Sequence, residues 1–352
     1  MKNCFISTYP GQCRSVADIL VKGLCFEHVQ LKGKCYPSIS SKKILFIKEF
    51  RNCVNSLIHL KEFNGSNILI SPNYVMLFLL LLRKLHILKV DTLVWYGVYI
   101  HNPKMITAMG KVIPKLLKNN QKFKIILFSR AEKDLYANAW HISEDNFISV
   151  PLGEWDQGND EEAETERCDE GYFFSGGYSN RDYVSLIKLF NNRKERLVIA
   201  ASKQNSDLTE YIEKNSVSEN ITLFYDISQE EFTDLLMKSR ATIFIMMHDT
   251  GASGQMVVLN AMKHRKLVIA TKTDVLNEYI ENNVSGIVVN KEEMFSALPD
   301  IIAKAERDIG CYNDLIENAY EKYELTYSYT AISRCFITCI EEIQRDEINN
   351  DD

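Results

Sequence analysis

Tyr172-Phe-Phe-Ser-Gly-Gly-Tyr-Ser-Asn-Arg-Asp182 decides how this chain is read, together with Ala241-Thr-Ile-Phe-Ile-Met-Met-His-Asp-Thr-Gly-Ala-Ser-Gly-Gln-Met-Val-Val-Leu-Asn-Ala-Met262. In the first stretch a short apolar run ends in Gly176-Gly177, and Arg181 follows four residues later. The second reads as a strand, a small polar loop from His248 to Gln255, and the start of a helix at Met256. Glycines let a backbone come close to a ligand, and a helix N-terminus offers N–H groups without intrahelical partners. Both loops therefore suit an anion. Lying about seventy residues apart, they predict one diphosphate site built from two strand-to-helix turns. Glycines at strand ends are also ordinary turn residues, so neither loop alone carries the reading.

Segments of the same kind surround these two. In the second half, strands are expected at residues 172–174, 197–200, 222–225, 242–246, 267–270 and 286–289. Helices are expected between them, at 183–190, 208–214, 229–239, 256–263 and 275–282. Strand and helix alternating through short loops imply a parallel sheet covered on both faces. In the first half, strands are expected at 4–7, 67–70, 92–96, 124–128 and 147–150. Helices are expected at 15–26 with Ser15 as N-cap, at 44–63, from Ser71-Pro72 to Lys89, and at 105–117 despite Pro114. Ser129 and Glu132 have the spacing of a capping box. Residues 154–170 are rich in Asp and Glu and read as a connection between domains. The expected organisation is 1–153, the acidic connection 154–170, 171–327, and a tail 328–352. In the tail Ile332, Phe336, Ile337, Ile340 and Ile343 share one helix face.

The chain has 352 residues, enough for two domains of about 150 each. Its net charge of −6 hides a division. Residues 1–150 carry 21 Lys and Arg against 9 Asp and Glu, a balance of +12; the rest carries −18. The basic half suits an anionic lipid surface, a lipid phosphate or an acidic glycan, or is a solvated lysine-rich surface. No nucleic-acid partner is expected. Nine scattered cysteines with no Cys-x-x-Cys pair argue against a disulfide framework, and with no apolar leader the expected location is cytoplasmic. Tyr74 to Leu82 is the longest apolar run, half of what a membrane span needs. It reads either as an interfacial helix resting on lipid or as a helix buried on its sheet.

These residues together resemble the GT-B-fold glycosyltransferases, most of all the family-4-like group 1 enzymes that build bacterial surface glycans. The motifs are Phe174-Ser-Gly-Gly-Tyr-Ser-Asn-Arg-Asp-Tyr183, Gly251-Ala-Ser-Gly-Gln255 with Asn260-Ala-Met262, and Leu267-Val-Ile-Ala-Thr271. The likeness is specific from about 172 to 290 and diffuse over 1–150. It implies two Rossmann-like doubly wound domains facing each other across a cleft, the N-terminal one for the acceptor and the C-terminal one for the donor. It also implies transfer of a sugar from a nucleotide-diphosphate sugar to a hydroxyl, with no metal and no cofactor beyond that donor.

By the same resemblance, Gly176 and Gly177 match the family's glycine turn, and Arg181 its basic residue near the diphosphate. Lys203 matches a second basic position. Ser253 and Gly254 match the loop whose N–H groups meet phosphate, with Gln255 beside them. Asn260 stands where the family usually has a ribose-binding glutamate; a partner glutamate, separated from it by seven intervening residues, is replaced by Ala252. His101, in the loop after a strand, is either a general base or an acceptor-orienting group, or a structural loop histidine. His248 and Asp249 either touch the donor or form a strand-end turn. The expected role is surface polysaccharide or glycoconjugate synthesis on a glycan or lipid-linked acceptor, at the inner face of a membrane. Two other readings stand beside it. The missing glutamates suit a non-catalytic partner subunit of a glycosyltransferase complex. A dinucleotide oxidoreductase would share the sheet, but neither loop has the Gly-x-Gly-x-x-Gly spacing.

Overall fold

The alternation of short apolar runs with amphipathic segments builds two parallel six-stranded sheets in the computed structural model. The structure describes residues 2–7, 19–21, 23–31, 42–71, 73–98, 100, 103–117, 122–154, 169–178, 180–248 and 253–349. His101, Asp249, Ala252, Ser15 and positions 155–168 of the acidic stretch lie outside these residues.

The first sheet contains β1 (Lys2–Ser7), β2 (Glu27–Gln30), β3 (Ser66–Ile70), β4 (Leu93–Tyr96), β5 (Phe123–Leu127) and β6 (Phe147–Ser149) in the order β2-β1-β3-β4-β5-β6. Its strands are apolar on both faces because helices cover both, as all-parallel sheets require. On one face Ile68, Leu93, Trp95 and Ile125 pack with helices Asn73–Lys84, Pro103–Leu117 and Arg130–Trp140. Trp95, Trp140 and Tyr136 stack there with ring centroids 6.0 and 4.7 Å apart. Within Asn73–Lys84, Val75, Met76, Leu79, Leu80 and Leu82 are buried, so that segment is mainly a core helix. On the other face Phe5, Leu69, Val94, Tyr96 and Ile126 meet Phe336, Cys339, Ile340 and Ile343 from a helix at Tyr329–Asn349. The unit centred on this sheet thus includes the chain up to Pro151 and again from Ile332.

The second unit runs from Leu152 to Glu154 and on through the residues up to Ala331. Its strands are β7 (Tyr172–Gly176), β8 (Arg196–Ala201), β9 (Ile221–Tyr225), β10 (Ala241–Phe244), β11 (Leu267–Thr271) and β12 (Ile287–Val289), in the order β12-β11-β10-β7-β8-β9. Leu152–Glu154 belong here because Leu152 N–H donates to Tyr279 Oη at 3.0 Å, and Glu154 accepts from Lys263 at 3.0 Å and from Tyr323. Helices begin where the sequence supplies caps. Asp182, Asn205 and Ser228 accept from the backbone three residues on, and Ser228 with Glu231 completes a capping box. Ser129 caps Arg130–Trp140 by accepting from Glu132 N–H at 3.1 Å.

Several elements differ from expectation. The helix expected over 44–63 breaks at His59 into Lys42–Ile58 and Leu60–Phe63. The one expected to reach Lys89 stops at Lys84, where His86 turns left-handed. β2 and the helices Met294–Arg307 and Asn313–Thr326 had no counterpart in the sequence reading. Among the described residues no helix is long and apolar enough to cross a membrane.

Candidate functional site

In the second sheet β7 and β10 are neighbours, yet the chain runs outward from them in opposite directions, to β8-β9 and to β11-β12. Such a reversal opens a crevice above the carboxyl ends of the two strands, where open parallel sheets take ligands. Both loops singled out in the sequence lie at that point.

β7 ends in Gly176 and turns through Gly177, whose φ of +127° is a conformation that side-chain-bearing residues rarely adopt. The two glycines serve different needs. A Cβ on Gly176 would lie 2.4 Å from the Phe232 ring, so Gly176 is demanded by packing. A Cβ on Gly177 would lie 2.7 Å from Arg181 Nη2, so Gly177 makes room for the guanidinium. Tyr183 pins the turn: its hydroxyl donates to Gly177 O at 2.5 Å and to Ala200 O at 3.2 Å. Burial pushes the Tyr183 phenol well above its usual pKa, which keeps it a donor.

Arg181 is 4 % exposed. Its Nε donates to Gly176 O at 3.1 Å, Nη1 approaches Met246 Sδ at 3.3 Å, and the guanidinium stands 5.5 Å from the centre of the Phe244 ring. Behind β10 the chain reaches Gly254, at φ +92°, which caps the helix Gln255–Lys263 without a side-chain hydrogen bond. The first turn of that helix has no acidic residue to offset its positive end. A Cβ on Gly254 would sit 3.6 Å from Arg181 Nη2. The buried cation and the helix N-terminus are therefore neighbours, and two sources of positive potential converge at one spot with little solvent to screen them.

Asn180 joins the two loops. Held left-handed at φ +55°, its Nδ2 donates to His248 O at 2.8 Å and to Ser253 Oγ at 3.0 Å, while its Oδ1 accepts from His248 N–H at 2.9 Å. The sequence reading missed Asn180 and Tyr183. The available signal was an Asn in a small polar run, a residue type that tolerates the left-handed region.

The remaining residues divide. Ser253 is held at the cluster by Asn180, and exposed His248 by its backbone. Lys203 follows the neighbouring strand β8; its N–H approaches the Asp226 carboxylate at 3.4 Å, and its ammonium is exposed with no ion pair among the described residues. Gln255 turns away from the cluster. It is buried, and its Nε2 donates to Tyr279 Oη at 3.1 Å, which anchors the first helical turn. Asn260 also faces elsewhere, donating to Thr233 Oγ1 at 3.2 Å on the helix Gln229–Met237. Two depressions flank the cluster. The larger, about 380 Å³, is lined by Arg181 and Lys214 beside Asp182, Asp207 and Glu210. The smaller, about 250 Å³, presents His248, Lys272 and Lys291 beside Asp274 and Glu292.

Residues 173–322 match the sequence profile of the family described as glycosyl transferases group 1. That match lies within the second unit and covers less than half of the chain. A comparison with curated proteins returns no match. Solved structures of the same fold span the whole chain. The Anabaena protein HepE in complex with UDP-glucose is 14% identical, with a TM-score of 0.72 over 97% of this chain and 100% of that one. A sucrose-phosphate synthase from Thermosynechococcus elongatus is 13% identical, with a TM-score of 0.72 over 98% and 100%. A glycosyltransferase from Rickettsia africae is 15% identical, with a TM-score of 0.66 over 97% and 99%. At such identities the likeness establishes the fold, two Rossmann-like units of the GT-B type.

Proposed function

We propose that this protein is a group 1 glycosyltransferase that moves a sugar from a nucleotide-diphosphate sugar to a hydroxyl acceptor without a metal ion. The observation that supports this most is the convergence of Arg181 with the helix N-terminus at Gly254. As the bond from the anomeric carbon to the phosphate oxygen breaks, its electron pair passes to the diphosphate. The acceptor oxygen bonds to the anomeric carbon and gives up its proton to a base, the role open to His101. Negative charge grows on the leaving group where the positive potential is already in place, so the transition state gains more than the ground state. Lys203 adds a mobile cation from the neighbouring strand end, and His101 receives or orients the acceptor hydroxyl. That HepE is described with UDP-glucose supports the donor class. The acceptor is a glycan or a lipid-linked sugar of surface polysaccharide or glycoconjugate synthesis, met at the inner face of a membrane by residues 1–150, which carry the +12 balance.

The second reading, a non-catalytic partner subunit, draws on Ala252 and Asn260 standing where glutamates are usual. A binding screen with uridine, guanosine and cytidine diphosphates, followed by turnover of the matching sugar donors, decides between them. The proposal expects tight binding of one base and transfer that persists in EDTA. Binding with no hydrolysis or transfer of any donor favours the partner subunit. Activity abolished by EDTA and rescued by manganese overturns the metal-free assignment.

A further inference from the structure

From Ile47 to Ile58, the described side chains of the helix Lys42–Ile58 in the first unit are arranged inside out. Ile47, Phe50, Val54, Leu57 and Ile58 are exposed, Phe50 by 64% and Ile58 by 77%. Glu49, Asn52 and Ser56 are buried on the opposite side, with Ser56 Oγ donating to Cys53 O at 2.6 Å. At 3.6 residues per turn the five apolar residues fall within an arc of about 100°, one continuous stripe of the width a surface helix normally turns toward its core. The stripe continues at Tyr74 of the helix Asn73–Lys84, which is exposed and whose carbonyl accepts from Cys53 Sγ.

We propose that this stripe docks on a lipid surface bearing anionic headgroups. Charge selects that occupant. The helix carries Lys42, Lys43, Lys48 and Arg51 against Glu49, and exposed Lys61, Lys84 and Lys89 follow within the next segments. A basic amphipathic helix with low overall hydrophobicity lies in the headgroup plane, its apolar residues among the upper acyl chains and its cations on the phosphates. A second copy of the chain would instead bring two such lysine-rich helices together, and like charges oppose that. The assignment deepens the membrane-facing part of the proposed function and moves it from Tyr74–Leu82, mostly buried, to the preceding helix.

A Phe50→Trp reporter tests it. With vesicles containing phosphatidylglycerol, its emission shifts to the blue and is quenched by brominated acyl chains, and both effects fade in high salt. The Phe50→Ser/Ile58→Ser double variant, altered only at exposed positions, is expected to partition at least about 10-fold more weakly. Arg51→Glu is expected to weaken binding to anionic vesicles alone. Equal partitioning of parent and double variant overturns the proposal. So does equal binding to neutral and anionic vesicles. Sedimentation as a dimer that the double variant dissolves assigns the stripe to a second copy and overturns it as well. Nucleotide binding, measured on the same variants without lipid, is expected to be unchanged. Its absence from the parent would count against the glycosyl-transfer reading and leaves the vesicle result to stand by itself.

Discussion

Replacing Arg181 by alanine separates what the guanidinium does for the fold from what it does for a ligand. In the folded chain it satisfies Gly176 O, contacts Met246 and lies near Phe244. Leaving a buried carbonyl without its donor costs ~1–3 kcal/mol. Removing a nearly desolvated cation relieves some of that, so the lower end is expected. For a unit of this size each kcal/mol lowers the melting temperature by roughly 2–4 °C. The effect on chemistry is larger, because preorganised donors at developing anions contribute ~2–4 kcal/mol, a loss of roughly 30- to 1000-fold in kcat/KM. Both kcat and donor KM should worsen. The assay pairs steady-state turnover with thermal melts in the absence and presence of the nucleoside diphosphate. At one hundred times its Kd the nucleotide stabilises the parent by about 2.7 kcal/mol, and this increment should shrink in the variant. Arg181→Lys should fall between the two, keeping the charge and losing the fork. If Arg181→Ala keeps kcat/KM within about threefold and the full nucleotide increment, electrostatic stabilisation at this residue is refuted.

Gly177→Ala should destabilise by ~1–3 kcal/mol through its φ and also weaken nucleotide binding, because the new Cβ meets Arg181 Nη2. Gly65→Ala, with positive φ and open space around it, should lower the melting temperature without touching the nucleotide. His264 is held down to about 4, first by burial and next by Lys263, although the helix end it follows would favour a cation. The unfolded chain therefore takes up this proton first. Stability is complete above pH 6.5 and falls by about 1–2 kcal/mol toward pH 4, allowing for partial exposure. Urea melts of His264→Gln should lack that component. Asn260→Ala and Thr233→Val break the same hydrogen bond and should each lower stability by about 0.5–1.5 kcal/mol with donor KM unchanged. A donor KM raised by Asn260→Ala alone would refute this and give Asn260 a ribose contact.

Period and punctuation made the two sheets readable, because a parallel sheet buries both faces and its strands appear as uninterrupted apolar runs. β7 and β10 with their glycine loops are the clearest cases, and they mark the reversal of strand order. β2 was hidden because four residues containing Glu27 and His28 carry no apolar run. Met294–Arg307 and Asn313–Thr326 lie between polar residues that gave no strong start signal, for Glu293 and Tyr312 cap them without side-chain bonds. Turn glycines were legible where the backbone demands the residue type, as at Gly177 and Gly254. The direction of a side chain was not. Gln255 and Asn260 lie within two turns of Gly254 on the same helix, yet both bond to neighbouring helices of the unit. The inverted helix is the limiting case: Ile47, Phe50, Val54 and Leu57 have the spacing of a buried face, and spacing alone cannot say which side of a helix meets the core.

The helix Tyr329–Asn349 has a consequence for the order in which this protein can be made. Phe336, Cys339, Ile340 and Ile343 cover the face of the first sheet that presents Phe5, Val94, Tyr96 and Ile126. About 180 residues are synthesised between Pro151 and the start of that cover at Ile332. At roughly 5–20 residues per second, the ribosome would leave an uncovered aromatic face on the nascent chain for roughly 10–40 s. The unit translated first is therefore the unit completed last, and a stop codon lost or gained near the 3′ end of the message strikes the N-terminal sheet.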